Sequence, residues 1–167
     1  MIKHIITTGL LLMSFEVQNK METGKPAHAA IYDQIIRNVP KIDKRYAARL
    51  SMVIYKKTLK YGLEPRIFTA MLAQESKYNL GTLGYKSKRA RKPIDFGIAQ
   101  INKNTIKSMH LDKNRLLTDM EYSVEAGTKV LADFKHTYGS EKTYWTHYNS
   151  GKTKYRNRYL VAVSRYL

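Results

Sequence analysis

The chain has 167 residues, with 30 Lys and Arg against 13 Asp and Glu, a formal net charge of +17 at neutral pH. A hydrophobic content of 43% excludes a disordered chain and the length suits one domain, while the absence of cysteine excludes a disulfide framework and thiol chemistry. The charge favours a polyanionic partner, whether nucleic acid, an anionic wall polymer or lipopolysaccharide, and does not choose among them.

Lys3 and His4 precede an apolar run from Ile5 to Phe15. That run is too short to cross a membrane and has the length of a signal-peptide core. Ala27-His28-Ala29 supplies a small-x-small cleavage site. Residues 1–29 are therefore expected to be an export signal and 30–167 the working domain, periplasmic or secreted. The alternative is an ordinary first helix packed on that domain. The segment holds three Lys and two Glu, so the basicity belongs to the rest of the chain.

From residue 30 onward the pattern is helical. A helix is expected over 30–39, ended by Pro40, because the residue before proline disfavours the helical region. The next is expected over 44–61, with Asp43 as N-cap and Gly62 closing it. Pro65 suits a first helical turn and opens a helix to about Lys77. Residues 79–96, rich in Gly and basic side chains, are expected to be a loop, and 98–108 a short helix. Thr118-Asp119-Met120-Glu121 has the form of a capping box. Behind it Met120, Val124, Gly127, Leu131 and Phe134 recur at alternating spacings of four and three, one buried helical face ended by Gly139. Residues 142–148 and 154–167 also suit helices. No run alternates well enough to suggest a strand, so the expected class is all-α.

One carboxylate stands out. Ile67, Met71 and Glu75 share a face of their helix at i, i+4 and i+8, so Glu75 continues an apolar stripe close to the helix C-terminus. Burial and the negative end of the helix dipole both disfavour its anion. A carboxyl held protonated near neutral pH is what a general acid needs. Taken alone, a helix-end surface glutamate remains the commoner explanation. Two further blocks bear on it: Gly97-Ile98-Ala99-Gln100-Ile101-Asn102 and Tyr144-Trp145-Thr146-His147-Tyr148-Asn149-Ser150-Gly151. Gln100 can donate and accept hydrogen bonds, and tyrosine pairs a flat apolar face with a hydroxyl, a match for a pyranose ring.

In order and spacing, Gln74-Glu75-Ser76 and these two blocks resemble the lytic transglycosylases, the soluble-type branch of the lysozyme superfamily that cleaves peptidoglycan. The resemblance covers roughly residues 46–166. It implies a lysozyme-like helical domain with a substrate groove. Glu75 would be the sole catalytic acid/base, and Ser76, Gln100, Tyr148, Asn149 and Tyr159 would bind substrate. Tyr159 enters because Tyr159-Leu160-Val161-Ala162-Val163 resembles the family's terminal Tyr-x-x-x-Val helix. Ala99 stands where the family has methionine, so an apolar sugar contact is expected to be missing. His147 stands where it has alanine and reads as a surface substitution. Asp95 lies where some goose-type lysozymes carry a water-positioning acid, a candidate second carboxylate; a loop or N-cap aspartate is the plainer reading. No cofactor or metal is expected, since the five histidines form no ligand-spaced cluster. The resemblance implies a monomer acting on glycan strands, of the kind that opens the wall for conjugation, secretion or phage entry and lysis. A basic nucleic-acid-binding helical protein and an inactive wall-binding scaffold remain as rivals.

Overall fold

A computed structural model describes residues 26–87, 90–139 and 141–167. Of the expected export signal, residues 1–29, the apolar run lies wholly outside them and only residues 26–29 lie within. Seven α-helices occur among the described residues: α1 (Ala29–Asn38), α2 (Lys44–Lys60), α3 (Pro65–Ser76), α4 (Lys103–Ser108), α5 (Lys113–Thr118), α6 (Met120–Tyr138) and α7 (Thr153–Ser164). A 3-10 turn over Tyr144–Tyr148 separates α6 from α7, within the stretch 142–148 that was expected to be helical.

Local chemistry explains most of these boundaries. Asp43 caps α2 by accepting from the Tyr46 amide, and Gly62 turns the chain away at φ +62°. Pro65 is the first residue of α3, where its missing N–H costs nothing. Residues 118–121 work differently from the expected capping box. Asp119 is the N-cap of α6, accepting from the Tyr122 amide at 3.0 Å, while the Thr118 hydroxyl donates back to Asn114 in α5. Glu121 reaches across to Lys57 on α2 instead of back to the cap.

Three strands appear where none was expected: β1 (Leu83–Gly84), β2 (Asp95–Phe96) and β3 (Ile101–Asn102). They form an antiparallel sheet in that order, with Gly84 opposite Asp95 and Asp95 opposite Asn102. Each spans two residues, so no period-2 pattern can show in the sequence. The third strand also corrects the expected helix over 98–108, which begins only at Lys103, where Asn102 caps it.

The core joins α2, α3 and α6 through Leu50, Ile54, Phe68, Leu72, Val124 and Leu131. The expected face of α6 is buried at Met120, Val124, Gly127 and Leu131, while Phe134 emerges into a cleft. Helix α7 lies on α3 with Tyr159 and Val163 inward. The chain after α7 is clamped by Gln34 and Asn38 of α1, whose amide groups donate to the Tyr166 carbonyl at 2.8 and 3.0 Å. No described helix is long and apolar enough to cross a membrane.

Candidate active site

A cleft of about 440 Å³ opens between the small sheet, α6 and the 3-10 turn. Glu75 lies in it at the last turn of α3, with Asp95, Gln100, Phe134, Tyr148 and Asn149 along the walls. Three segments far apart in sequence thus meet at one carboxyl.

The chain immediately after Glu75 is bent hard. Lys77 and Tyr78 both adopt left-handed backbone, φ 54° and 65°, which costs non-glycine residues energy and persists only where the surroundings enforce it. Those surroundings are visible. Tyr78 is fully buried, its carbonyl accepts from the Tyr46 hydroxyl at 2.7 Å, and its own hydroxyl accepts from Asn38 at 3.0 Å. Helices α1 and α2 therefore fix the elbow that ends α3, which sequence patterning could not show.

Burial pushes the Glu75 carboxyl up to about 7. The Tyr159 hydroxyl, donating to Oε1 at 2.5 Å, pulls the other way, and the negative charge of Asp95 adds to the rise. The phenols of Tyr148 and Tyr159 are held well above their ordinary range by burial and by the Glu75 charge, so both remain protonated donors. The Tyr148 hydroxyl is spent on the Ala99 carbonyl at 2.7 Å, tying the third block to the second.

The residues expected to bind substrate divide in two. Gln100, Tyr148 and Asn149 line the cleft. Gln100 holds φ +48° and gives its amide N–H bonds to the Thr82 and Gly97 carbonyls, which leaves its oxygen as the group not spent on them. Ser76 and Tyr159 lie behind the wall. The Ser76 hydroxyl is buried and donates to the Ile98 carbonyl at 2.7 Å, so it ties α3 to the second block and is not placed to bind sugar. Tyr159, 5% exposed, meets Glu75 from the protein side.

Two further readings, of Ala99 and His147, are corrected, and packing accounts for Gly97. Ala99 is buried close to Gly127 of α6, so its side chain points into the core and not toward a sugar. Gly97 at φ +79° is demanded by packing, since a Cβ there would lie 2.4 Å from the Leu116 carbonyl oxygen. His147 is no surface substitution. It is 8% exposed and stacks flat on Tyr138, with ring centroids 3.7 Å apart and planes 3° from parallel. Its Nε2 lies 3.3 Å from Glu141, which also receives Arg156.

Asp95 belongs to β2 and not to a helix cap. One carboxylate oxygen accepts from Asn102 at 2.8 Å across the sheet. Opposite it, Gly84 makes room: a Cβ there would come within 2.5 Å of the Gln100 side-chain oxygen and 2.9 Å of Asp95 Cβ. Gly84 thus backs the site, and nothing in the sequence around it singles it out.

The family model for the transglycosylase SLT domain matches residues 52–160, more than half of the chain and all three blocks. The chain belongs to that family. The transglycosylase SLT domain thus accounts for the mostly helical, lysozyme-like architecture and assigns the chain to transglycosylase-type activity on peptidoglycan in general terms. No curated protein and no solved structure matches it. Within this transglycosylase domain, the matched span takes in α3, the sheet, α6 and α7 as far as residue 160, and so Glu75 and its Tyr159 partner alike.

Proposed function

We propose that this domain cleaves the β-1,4 bond between N-acetylmuramic acid and N-acetylglucosamine in peptidoglycan without water, leaving a 1,6-anhydromuramoyl end. The observation that carries the reading is Glu75 at the cleft, its carboxyl pushed up to about 7 by burial and held by the Tyr159 hydroxyl.

The chemistry then needs one carboxyl used twice. Protonated Glu75 gives its proton to the glycosidic oxygen as the bond to the muramic C1 breaks. The resulting carboxylate accepts the proton of the sugar's own 6-hydroxyl while that oxygen bonds to C1. Glu75 ends protonated, as it began. The nucleophile belongs to the substrate, so proximity replaces the positioning of a water. Gln100, Tyr148 and Asn149 would hold the muramic sugar for that attack.

A hydrolytic reading has one observation in its favour: Asp95 lines the same cleft as Glu75, and paired carboxylates are the usual apparatus of glycoside hydrolysis. In the favoured reading Asp95 instead shapes the sheet through Asn102 and raises the Glu75 carboxyl. Turnover of purified peptidoglycan by Asp95→Asn separates the two. Non-hydrolytic cleavage predicts that most activity survives, and hydrolysis predicts its loss.

The substrate implies action outside the cytoplasm. The Ile5–Phe15 run and Ala27-His28-Ala29 support export to the periplasm or beyond. The resemblance to specialised transglycosylases supports a role in local wall opening beside a conjugation, secretion or phage machine, with the protein acting as a monomer.

A further inference from the structure

The chain between β1 and β2 is strongly basic and does nothing for the catalytic steps above. Between Gly84 and Ile94 it carries Lys86, Lys88, Arg89, Arg91 and Lys92 and no acidic residue. Of the described ones, Lys86, Arg91 and Lys92 make no salt bridge with any described carboxylate. Tyr85 is 48% exposed, so its ring is open to solvent. Together Tyr85, Ser87, Ala90 and Arg91 line an open hollow of about 550 Å³. The Ala90 amide donates to the Ser87 carbonyl at 3.0 Å on its rim.

The position of this hollow gives it meaning. Tyr85 follows directly on Gly84, which backs Gln100 and Asp95. Arg91 is three residues from Ile94, a cleft residue whose amide is pinned to the Gly84 carbonyl at 2.8 Å. Three residues of extended chain span at most about 10 Å, so the hollow lies at the lip of the cleft. It is open and cationic, with an aromatic face. That suits a flexible, negatively charged group attached to a sugar already in the cleft, and it does not suit a second buried sugar ring.

We infer that Tyr85, Ser87 and Arg91 form a subsite for the carboxylates of the peptide stems that muramic residues carry. This inference rests on the peptidoglycan reading above. Arg91 supplies a planar, permanently charged donor set matched to a carboxylate, Ser87 a hydroxyl, and Tyr85 a surface for the peptide backbone. These three residues then select stem-bearing glycan over neutralised or foreign polymer, beyond the diffuse attraction of a +17 chain.

The test compares two forms of one polymer: purified peptidoglycan with native stems, and the same material with its carboxylates amidated by methylamine and a carbodiimide. Wild-type protein should show a KM about tenfold lower on the native form. The double variant Tyr85→Ala, Arg91→Gln should show the same KM on both, with kcat unchanged. Arg158→Gln, on the exposed face of α7, should keep the wild-type ratio. Equal wild-type KM on the two forms, a double variant that keeps the ratio, or an Arg158→Gln that abolishes it would each overturn the subsite. Wild-type protein that cleaves neither form would overturn the transglycosylase reading itself, and the subsite with it.

Discussion

The Tyr159 hydroxyl donates to Glu75 at 2.5 Å from the buried side of the carboxyl, joining α7 to the end of α3 across 84 residues of chain. This bond favours the ionised form and so opposes burial, which alone would carry Glu75 higher than about 7. Tyr159→Phe keeps the ring and removes the bond. The Glu75 carboxyl should rise and lose its orientation. The alkaline limb of the pH–rate profile should move to higher pH, and peak wall clearance should fall about tenfold, as expected for a charged hydrogen bond of ~1.5 kcal/mol. An unchanged profile would remove Tyr159 from the site.

Asp95 acts on the same carboxyl with the opposite sign. Its negative charge raises Glu75, so Asp95→Asn should lower it. The alkaline limb should move to lower pH while peak activity largely persists. The opposed shifts of Asp95→Asn and Tyr159→Phe can be read in one set of pH–rate curves.

Glu75 also links activity to stability. Its folded value, about 7, lies above the ordinary 4.5. The folded state therefore holds the proton more tightly between those values, and its stability declines as pH rises from 4.5 through 7. The full difference corresponds to about 3 kcal/mol. Glu75→Gln removes this loss. It should unfold at a higher temperature than wild type at pH 8, with the gap narrowing toward pH 4.5, and should show no wall clearance above background. Thermal melts at the two pH values measure it. A constant gap would show that Glu75 titrates normally.

Helix α3 and its glutamate were legible because twelve residues suffice to display helical spacing and Pro65 marks the first turn, whereas the left-handed exit at Lys77 shows only in the structure. The sheet was not legible: two-residue strands have no periodicity, and they are held by pairing with residues up to thirteen positions away. The same limit hid Gly84, whose missing side chain matters only once β1 lies against Asp95 and Gln100. Ser76 and Ala99 were assigned by position to the sugar side of their blocks. Their burial shows that compact motifs spend part of their residues on the protein behind the cleft. His147 was misread because its partners, Tyr138 at the end of α6 and Glu141 in the connection after it, lie outside its own turn.

Those corrections yield contrasting variants. Ser76→Ala loses a buried hydrogen bond between α3 and Ile98, and should cost about 1 kcal/mol of stability by denaturant titration with little change in KM. His147→Ala removes the Tyr138 stack and frees the turn that presents Tyr148 and Asn149 to the cleft. It should raise KM for peptidoglycan several-fold, and His147→Phe, which keeps a flat ring, should restore much of the loss.

The central claim is that Glu75 transfers a proton twice with the substrate's own hydroxyl as nucleophile. Mass spectrometry of muropeptides released from purified peptidoglycan tests it most directly. The account predicts 1,6-anhydro ends, each lighter by one water than a reducing end, and none from Glu75→Gln. Products ending in reducing sugars, with turnover abolished in Asp95→Asn, would contradict it and identify a two-carboxylate hydrolase.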